Sequence, residues 1–296
     1  MPRRRRITIT IRDDLLASLD RLVDHEKIRN RSHAVEYLLH RSLGHDTRQA
    51  VILASGAGVA LRPPTYEIPK PLIPVRGRPI LEYIIHLLQS HGIRDIAITV
   101  SHLKEQIIKH FGDGSRLGVH ITYVHESAPS GTGGALRATE PLLTSSPFLV
   151  VYGDILIDLD LTDFLRSHHE TPAALATIAL TSAADPSAFG SVKLRGTRVA
   201  EFSEKPKATP ATSRLVFAGV AACNRELFTR ISKKGRRLSL ERDVFPKLVT
   251  EQRLYGFPFE GQWFDVSTPE VYERALHLWN RKKKNALDVS SALRGF

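Results

Sequence analysis

The first stretch with chemical content is Ser55-Gly56-Ala57-Gly58, which follows the apolar run Val51–Ala54. That run reads as a short buried strand. A glycine-bearing loop at its end can turn successive backbone N–H groups toward a phosphate. The loop lacks both the Gly-Lys-Ser/Thr of a Walker loop and the third glycine of a dinucleotide fingerprint, so taken alone it reads as an ordinary tight strand-to-helix turn. A second such stretch opens the chain. Arg6-Ile7-Thr8-Ile9-Thr10-Ile11-Arg12 alternates, with Ile7, Ile9 and Ile11 on one face and Arg6, Thr8, Thr10 and Arg12 on the other. Presented twice by two paired chains, that outer face would make a two-stranded ribbon of a size that fits the DNA major groove. Free amides at a helix start around Ser32 and His33 would suit a phosphate.

These residues need elements to hold them. Asp13 reads as the N-cap of a helix with the apolar stripe Leu15, Leu19, Leu22 and Val23, and Ser32 as the N-cap of a second carrying Val35, Leu38, Leu39 and Leu43, ended by Gly44. One strand and two helices in residues 1–44 cannot bury a stable core alone. The economical solution is two chains whose strands pair antiparallel across a two-fold axis, giving a homodimer or higher homo-oligomer. Residues 45–49 are a short linker. From residue 50 to 284 strands and helices alternate: Val51–Ala54, a helix from Pro79 to a stop at Gly92, Asp95–Ser101, a helix over Leu103–Phe111, Val119–His125, and Phe148–Tyr152 ending in Gly153-Asp154. That succession predicts an α/β domain with a mostly parallel, doubly wound, Rossmann-like sheet and ligands at the carboxyl ends of its strands. Val192–Leu194 and Val199–Phe202 read as a hairpin, and Pro269–Lys284 as a terminal helix, followed by a tail over 285–296.

Composition bounds the rest. The 296 residues carry 42 Lys+Arg against 31 Asp+Glu, a formal charge of +11, with 42% hydrophobic and 25% charged residues, which excludes general disorder. Cys223 is the sole cysteine, which excludes internal disulfides and multi-thiolate metal sites. No run approaches the roughly 18 apolar residues of a membrane span, and Arg3–Arg6 lacks the apolar stretch of a signal peptide. The expectation is a soluble cytoplasmic protein with no membrane partner, and its positive charge favours a polyanionic one.

The N-terminal order of strand, helix, Arg-Ser-His turn and helix resembles the ribbon-helix-helix family of DNA-binding proteins over the whole of residues 1–44. The resemblance implies double-stranded DNA as partner, with Arg6, Thr8 and Thr10 on base edges and the Ser32 turn on the backbone. A dimerisation module with a merely solvated basic arm is the alternative.

The second resemblance rests on Leu53-Ala-Ser-Gly-Ala-Gly-Val-Ala-Leu-Arg-Pro-Pro-Thr65 and Ile68-Pro-Lys-Pro-Leu-Ile-Pro-Val75. It continues through Gly131-Thr-Gly-Gly-Ala-Leu136, Gly153-Asp154, Phe189-Gly190, Glu204-Lys-Pro206, Ala218-Gly219 and Trp263-Phe-Asp-Val-Ser-Thr-Pro269. These residues resemble, in order, the sugar-1-phosphate nucleotidyltransferases, which have a GT-A-type sheet. The resemblance implies transfer of a nucleotidyl group from a nucleoside triphosphate to a sugar 1-phosphate. It implies Lys70, Asp154 and Asp265 as catalytic residues, the two aspartates holding Mg²⁺. Gly56, Gly58, Gly131 and Thr132 would bind the nucleotide, and Gly190, Glu204 and Lys205 the sugar phosphate.

Four positions depart from the pattern, three of them in one loop. The family's opening loop reads Gly-Gly-x-Gly-Thr-Arg-Leu, whereas here Ser55, Val59 and Ala60 replace a glycine, the threonine and the arginine that grips the triphosphate. Phe217 stands where the family commonly has a sugar-binding asparagine. A positioned arginine at such a site is worth about 10³–10⁵ in rate. The expectation is therefore a regulator that reads a nucleotide or nucleotide sugar and binds DNA, with weak or lost catalysis. The alternative is an active nucleotidyltransferase whose N-terminal module serves autoregulation or assembly. Of the remaining residues, Cys223 reads as a buried small hydrophobe, His168-His169 as a solvated helix end, Arg281–Lys284 as a helix C-terminus, and Glu241 and Asp243 as a helix start with no catalytic role.

Overall fold

The computed structural model describes residues 8–24, 28–43, 47–205, 213–232 and 237–279. The chain divides into two compact units, Met1–His45 and Asp46–Phe296.

In the first unit Arg31, the first residue of α2 (Arg31–Leu43), clasps Asp20, the last of α1 (Asp13–Asp20), through two hydrogen bonds of 2.6 and 2.7 Å. Both predicted caps move by a residue or two. Asp13 is the first residue inside α1, whose N-cap is Arg12. Asn30 caps α2, its side-chain oxygen accepting the His33 N–H at 2.9 Å, and Ser32 lies inside the first turn. Asparagine and serine both make good caps, and the one preceding the helix takes the role. Thr8–Arg12 form no strand, contrary to their alternation, because the described residues of this unit offer them no strand to pair with. Arg6 and Gly44 lie outside the described residues.

The second unit begins with β1 (Gln49–Leu53), whose Val51 and Ile52 point to opposite faces and join two separate apolar clusters. Short β2 (Pro74–Val75) and β3 (Arg78–Pro79) lead into α3 (Ile80–Ser90), which buries Ile80, Leu81, Ile84, Ile85, Leu87 and Leu88 at helical spacing. Then follow β4 (Asp95–Val100), α4 (Lys104–Phe111), β5 (His120–His125), α5 (Gly131–Ala138), β6 (Phe148–Tyr152), β7 (Ile155–Ile157), α6 (Leu161–His169) and β8 (Ala176–Ser182). The hairpin β9 (Gly190–Arg195) and β10 (Arg198–Glu204) comes next, then β11 (Leu215–Cys223), α7 (Phe245–Thr250), β12 (Leu254–Pro258), β13 (Trp263–Asp265) and α8 (Pro269–Leu278).

Nine strands form one sheet in the order β5-β4-β1-β6-β11-β8-β12-β10-β9. The first four are parallel, as the alternating pattern predicts, but β11 runs antiparallel to both β6 and β8, so the whole sheet is mixed. A hairpin forces antiparallel pairing at the far edge, where β9 and β10 join across Gly196-Thr197. α8 stops at Leu278, short of the predicted Lys284, because Trp279 turns inward, 3% exposed and edge-on to Tyr83 and Phe264. Arg281–Lys284 and the 285–296 tail lie outside the described residues. His168 is not solvated: it is 3% exposed, with Nδ1 2.8 Å from the Thr177 hydroxyl and Nε2 3.4 Å from Asn224 Oδ1. The pair occupies the last turn of α6, whose inner face rests on the sheet, so only His169 reaches solvent. Cys223 is buried, and burial pushes its thiol far up.

Candidate active site

Strand ends decide which residues meet. β1 and β6 run parallel side by side, so Ser55–Gly58 and Gly153-Asp154 emerge at the same edge. Gly153 donates its N–H to the Leu53 carbonyl at 2.9 Å, and a Cβ there would lie 3.0 Å from that oxygen. β13 then pairs antiparallel with β7, setting Asp265 opposite Ile155 and next to Asp154; the Val266 N–H closes onto the Asp154 carbonyl at 2.9 Å.

Lys70 completes this corner. It lies in a single 3₁₀ turn between Pro69 and Pro71, and its side chain runs inward, 8% exposed at the residue level. Its ammonium donates to Asp154 Oδ2 at 2.5 Å and to the Ser267 hydroxyl at 2.9 Å, and Ser267 in turn donates to Asp265. Burial, then the Asp154 charge, pushes the Asp265 carboxyl up to about 6, while Lys70 and Ser267 pull it back. Asp154 and Asp265 repel one another in this largely buried place, with Lys70 and Lys205 as the cations that act against the repulsion, and a further cation held between the two carboxylates would relieve it. The donors of Asp154 and Asp265 are hard carboxylate oxygens. That fits Mg²⁺, which is commonly held by one or two carboxylates and completed by substrate phosphates.

The glycine loop lies against this corner. Gly58 adopts φ 63, and a Cβ on it would sit 2.9 Å from the Thr65 methyl and 3.2 Å from Lys70 Cβ, so glycine is required there on both counts. Gly56 has open space around it. Val59 and Ala60 are exposed, and neither carries a charge.

Gly131 and Thr132 open α5, where the residues around Leu238–Glu241 hold them. A Cβ on Gly131 would lie 2.3 Å from the Leu238 carbonyl oxygen, and that oxygen accepts the Gly133 N–H at 2.8 Å. The Thr132 hydroxyl donates to Glu241 at 2.8 Å and accepts the Leu240 N–H at 2.8 Å. Glu241, which sequence reading set aside, also accepts hydrogen bonds from Tyr152 and, at 2.5 Å, from Ser239. Burial and the Glu241 charge together hold the Tyr152 phenol protonated. Glu241 and Thr132 are 109 positions apart, so no local spacing marks the pair.

Gly190 faces Glu204 across the β9–β10 ladder. The Phe202 ring and the Glu204 carboxylate lie over it, a Cβ there meeting them at 2.7 and 3.2 Å. Burial first, and then Glu241, raise the Glu204 carboxyl. Lys205 turns out of the strand with φ 47, a conformation uncommon for a non-glycine residue, while its N–H bonds the Phe189 carbonyl at 3.1 Å. Phe217 is 7% exposed and packs edge-on against Tyr152 and Phe245.

In the N-terminal unit, Thr8, Thr10 and Ser32 are exposed. Arg6 lies outside the described residues.

At one edge of the mixed sheet, then, Asp154 follows parallel strand β6, Asp265 ends the antiparallel β13, and a chain of hydrogen bonds through Lys70 and Ser267 connects the two carboxylates. Comparison with known proteins gives the class: the nucleotidyl transferase family matches residues 49–281, and the chain belongs to that family. It is 36% identical over 228 residues to a mannose-1-phosphate guanylyltransferase of Mycobacterium tuberculosis, which covers 76% of this chain and 62% of the relative. It is 34% identical over 257 residues to a UTP–glucose-1-phosphate uridylyltransferase of Synechocystis, covering 80% and 65%. The chain thus spans slightly under two thirds of the length of these curated relatives. A crystal structure of UDP-glucose pyrophosphorylase with UDP-glucose superposes with a TM-score of 0.68 at 20% identity, covering 78% of this chain and 97% of that one. HddC of Yersinia pseudotuberculosis gives 0.66 at 24%, covering 78% and 98%; both likenesses are of fold. No described helix is long and apolar enough to cross a membrane.

Proposed function

We propose that this chain transfers a nucleotidyl group from a nucleoside triphosphate to a sugar 1-phosphate. The observation that carries the proposal is the corner where Lys70, Asp154, Asp265 and Ser267, up to 197 positions apart, meet beside the glycine loop. In the reaction an oxygen of the sugar phosphate attacks the α-phosphorus and the bond to the bridging oxygen breaks, moving negative charge onto pyrophosphate. Lys70, held between Asp154 and Ser267, supplies a fixed positive charge at that place. Asp154 and Asp265 would hold Mg²⁺, which when bound neutralises phosphate charge. Gly131, Gly56 and Gly58 offer backbone to the nucleotide, and Thr132 fixes its loop through Glu241. Glu204 accepts from sugar hydroxyls, Gly190 keeps the space beneath it, and Lys205 meets the sugar phosphate. The relatives are named for guanylyl and uridylyl transfer, so the base is open. Incubation with each nucleoside triphosphate, a panel of sugar 1-phosphates and Mg²⁺ should yield a nucleotide sugar detectable by mass spectrometry; its absence from every pairing would overturn the proposal.

A second reading, for a regulator, is favoured by the uncharged Val59-Ala60 loop and by the N-terminal unit, in which Ile9, Leu15 and Leu39 are 53, 51 and 44% exposed while only Leu19 and Ala34 are buried among the described residues. So little burial cannot stabilise a unit of that size alone. Two copies would pair through the segment around Ile7–Ile11 and meet double-stranded DNA through Arg6, Thr8 and Thr10, with the turn at Ser32 on phosphate. DNA affinity that falls steeply with salt in a dimer supports this; a monomer, or no binding, counts against it.

A further inference from the structure

The loop that lost its family arginine still carries a cation two residues on. Its ends are tied together by the Thr65 hydroxyl, which donates to the Gly58 carbonyl at 2.7 Å, and Leu61, 2% exposed, anchors it. Between these ties Val59, Ala60 and Arg62 face outward. The loop rests on Lys70 through Gly58, and Lys70 bonds Asp154, so it flanks the place where an anionic substrate must lie.

Two arginines are near in sequence, and the structure separates them. Arg76 sits at φ 50 and donates to the Trp279 carbonyl at 3.2 Å, so it is spent on packing α8 against the domain. Arg62 enters no ion pair among the described residues; its guanidinium lies 4.6 Å from the centre of the Tyr66 ring. Tyr66 is 60% exposed, and stacking on an exposed ring holds a guanidinium weakly, whereas a bidentate pair with phosphate oxygens holds it firmly.

We infer that Arg62 leaves the Tyr66 ring when a nucleoside triphosphate binds and pairs with its terminal phosphates, taking over the charge that Val59 and Ala60 do not supply. This rests on the proposed transferase activity, in which those phosphates depart. The Tyr66 ring parks the side chain until the substrate is present.

The test is calorimetry on the full chain with Mg²⁺ and ATP, CTP, GTP, UTP and dTTP, each beside its monophosphate. Arg62→Ala, a change at an exposed position, is expected to weaken the best triphosphate about 10- to 100-fold while leaving the monophosphate within about twofold. Arg62→Lys should fall between, and Ala60→Arg added to Arg62→Ala should restore the lost affinity. Unchanged triphosphate affinity in Arg62→Ala, or equal loss for mono- and triphosphate, would overturn the inference. The selective loss in Arg62→Ala, together with a wild type that makes no nucleotide sugar, would end the transferase proposal and leave Arg62 as a triphosphate reader. An Arg62→Ala chain that makes nucleotide sugar at the wild-type rate and triphosphate KM would do the reverse.

Discussion

The Asp154 corner and the Ala60 loop adjoin at one edge of the sheet, yet they hold charge in opposite ways. In the corner, folding has already paired Lys70 with Asp154 and tied Asp265 to Ser267, so the groups that meet a phosphate are fixed before it arrives. In the loop, Val59 and Ala60 contribute no charge, and the nearest guanidinium leans on an exposed ring. One region is preorganised; the other awaits its ligand. Substitutions in the corner should therefore lower turnover, and substitutions in the loop should alter triphosphate affinity.

The largest effect is expected at the carboxylates. Asp154→Asn or Asp265→Asn should cut nucleotide-sugar formation at least about 10³-fold, with thermal melts showing the fold retained, and chelation of Mg²⁺ should do the same to the wild type. Lys70→Ala comes next, at about 10²- to 10³-fold, read mainly in kcat. A loss confined to KM would mean that Lys70 binds the ground state alone, and the contrast with the loop would blur.

Glu241→Gln should act more mildly, raising KM for the triphosphate about tenfold. Its carboxylate accepts hydrogen bonds from the Thr132, Tyr152 and Ser239 hydroxyls, and an amide cannot accept all three. A double-mutant cycle with Thr132→Val checks the route, since two residues acting through one contact give less than additive losses. The smallest catalytic effect belongs to His168, which stands apart from both regions. Burial lowers its imidazole from the ordinary 6.5 to about 4, with the nearby His169 adding to the shift. The unfolded chain therefore takes up a proton below about pH 6.5, before the folded one can. Stability is whole above that pH and is lost as pH falls toward 4, by up to about 3 kcal/mol. Urea titrations at pH 7 and 4.5 should show the loss in the wild type and little of it in His168→Gln, with activity at pH 7 unchanged.

Much of the fold was legible because its signals are local. The runs Val51–Ala54 and Phe148–Tyr152 are short, apolar and bounded by glycine, and Pro79 and Gly92 bracket a helix with a clear apolar face. The direction of β11 was not legible, since strand polarity is decided by partners far along the chain. The cap of α2 was misplaced because Asn30 and Ser32 carry the same signal two residues apart. His168 misled for a similar reason: a histidine at a helix end looks alike whether that end faces water or the sheet. Of the candidate site, the family-like runs singled out Lys70, Asp154 and Asp265; the pairing of β7 with β13 brings the two aspartates together, and Lys70 reaches them from its own turn. Glu241 reads from sequence only as a helix start, because its partners Thr132 and Tyr152 are 109 and 89 positions away and nothing in its own neighbourhood announces them.

The most direct test is continuous detection of pyrophosphate from the wild-type chain with Mg²⁺, a nucleoside triphosphate and a sugar 1-phosphate together, and with each substrate omitted. Release at about 1–10³ s⁻¹ that requires both substrates and disappears in Asp154→Asn is the result expected of a working transferase. Tight binding of a nucleotide sugar with no pyrophosphate from any pairing would contradict it, and would leave the preorganised corner as a holder of phosphate alone.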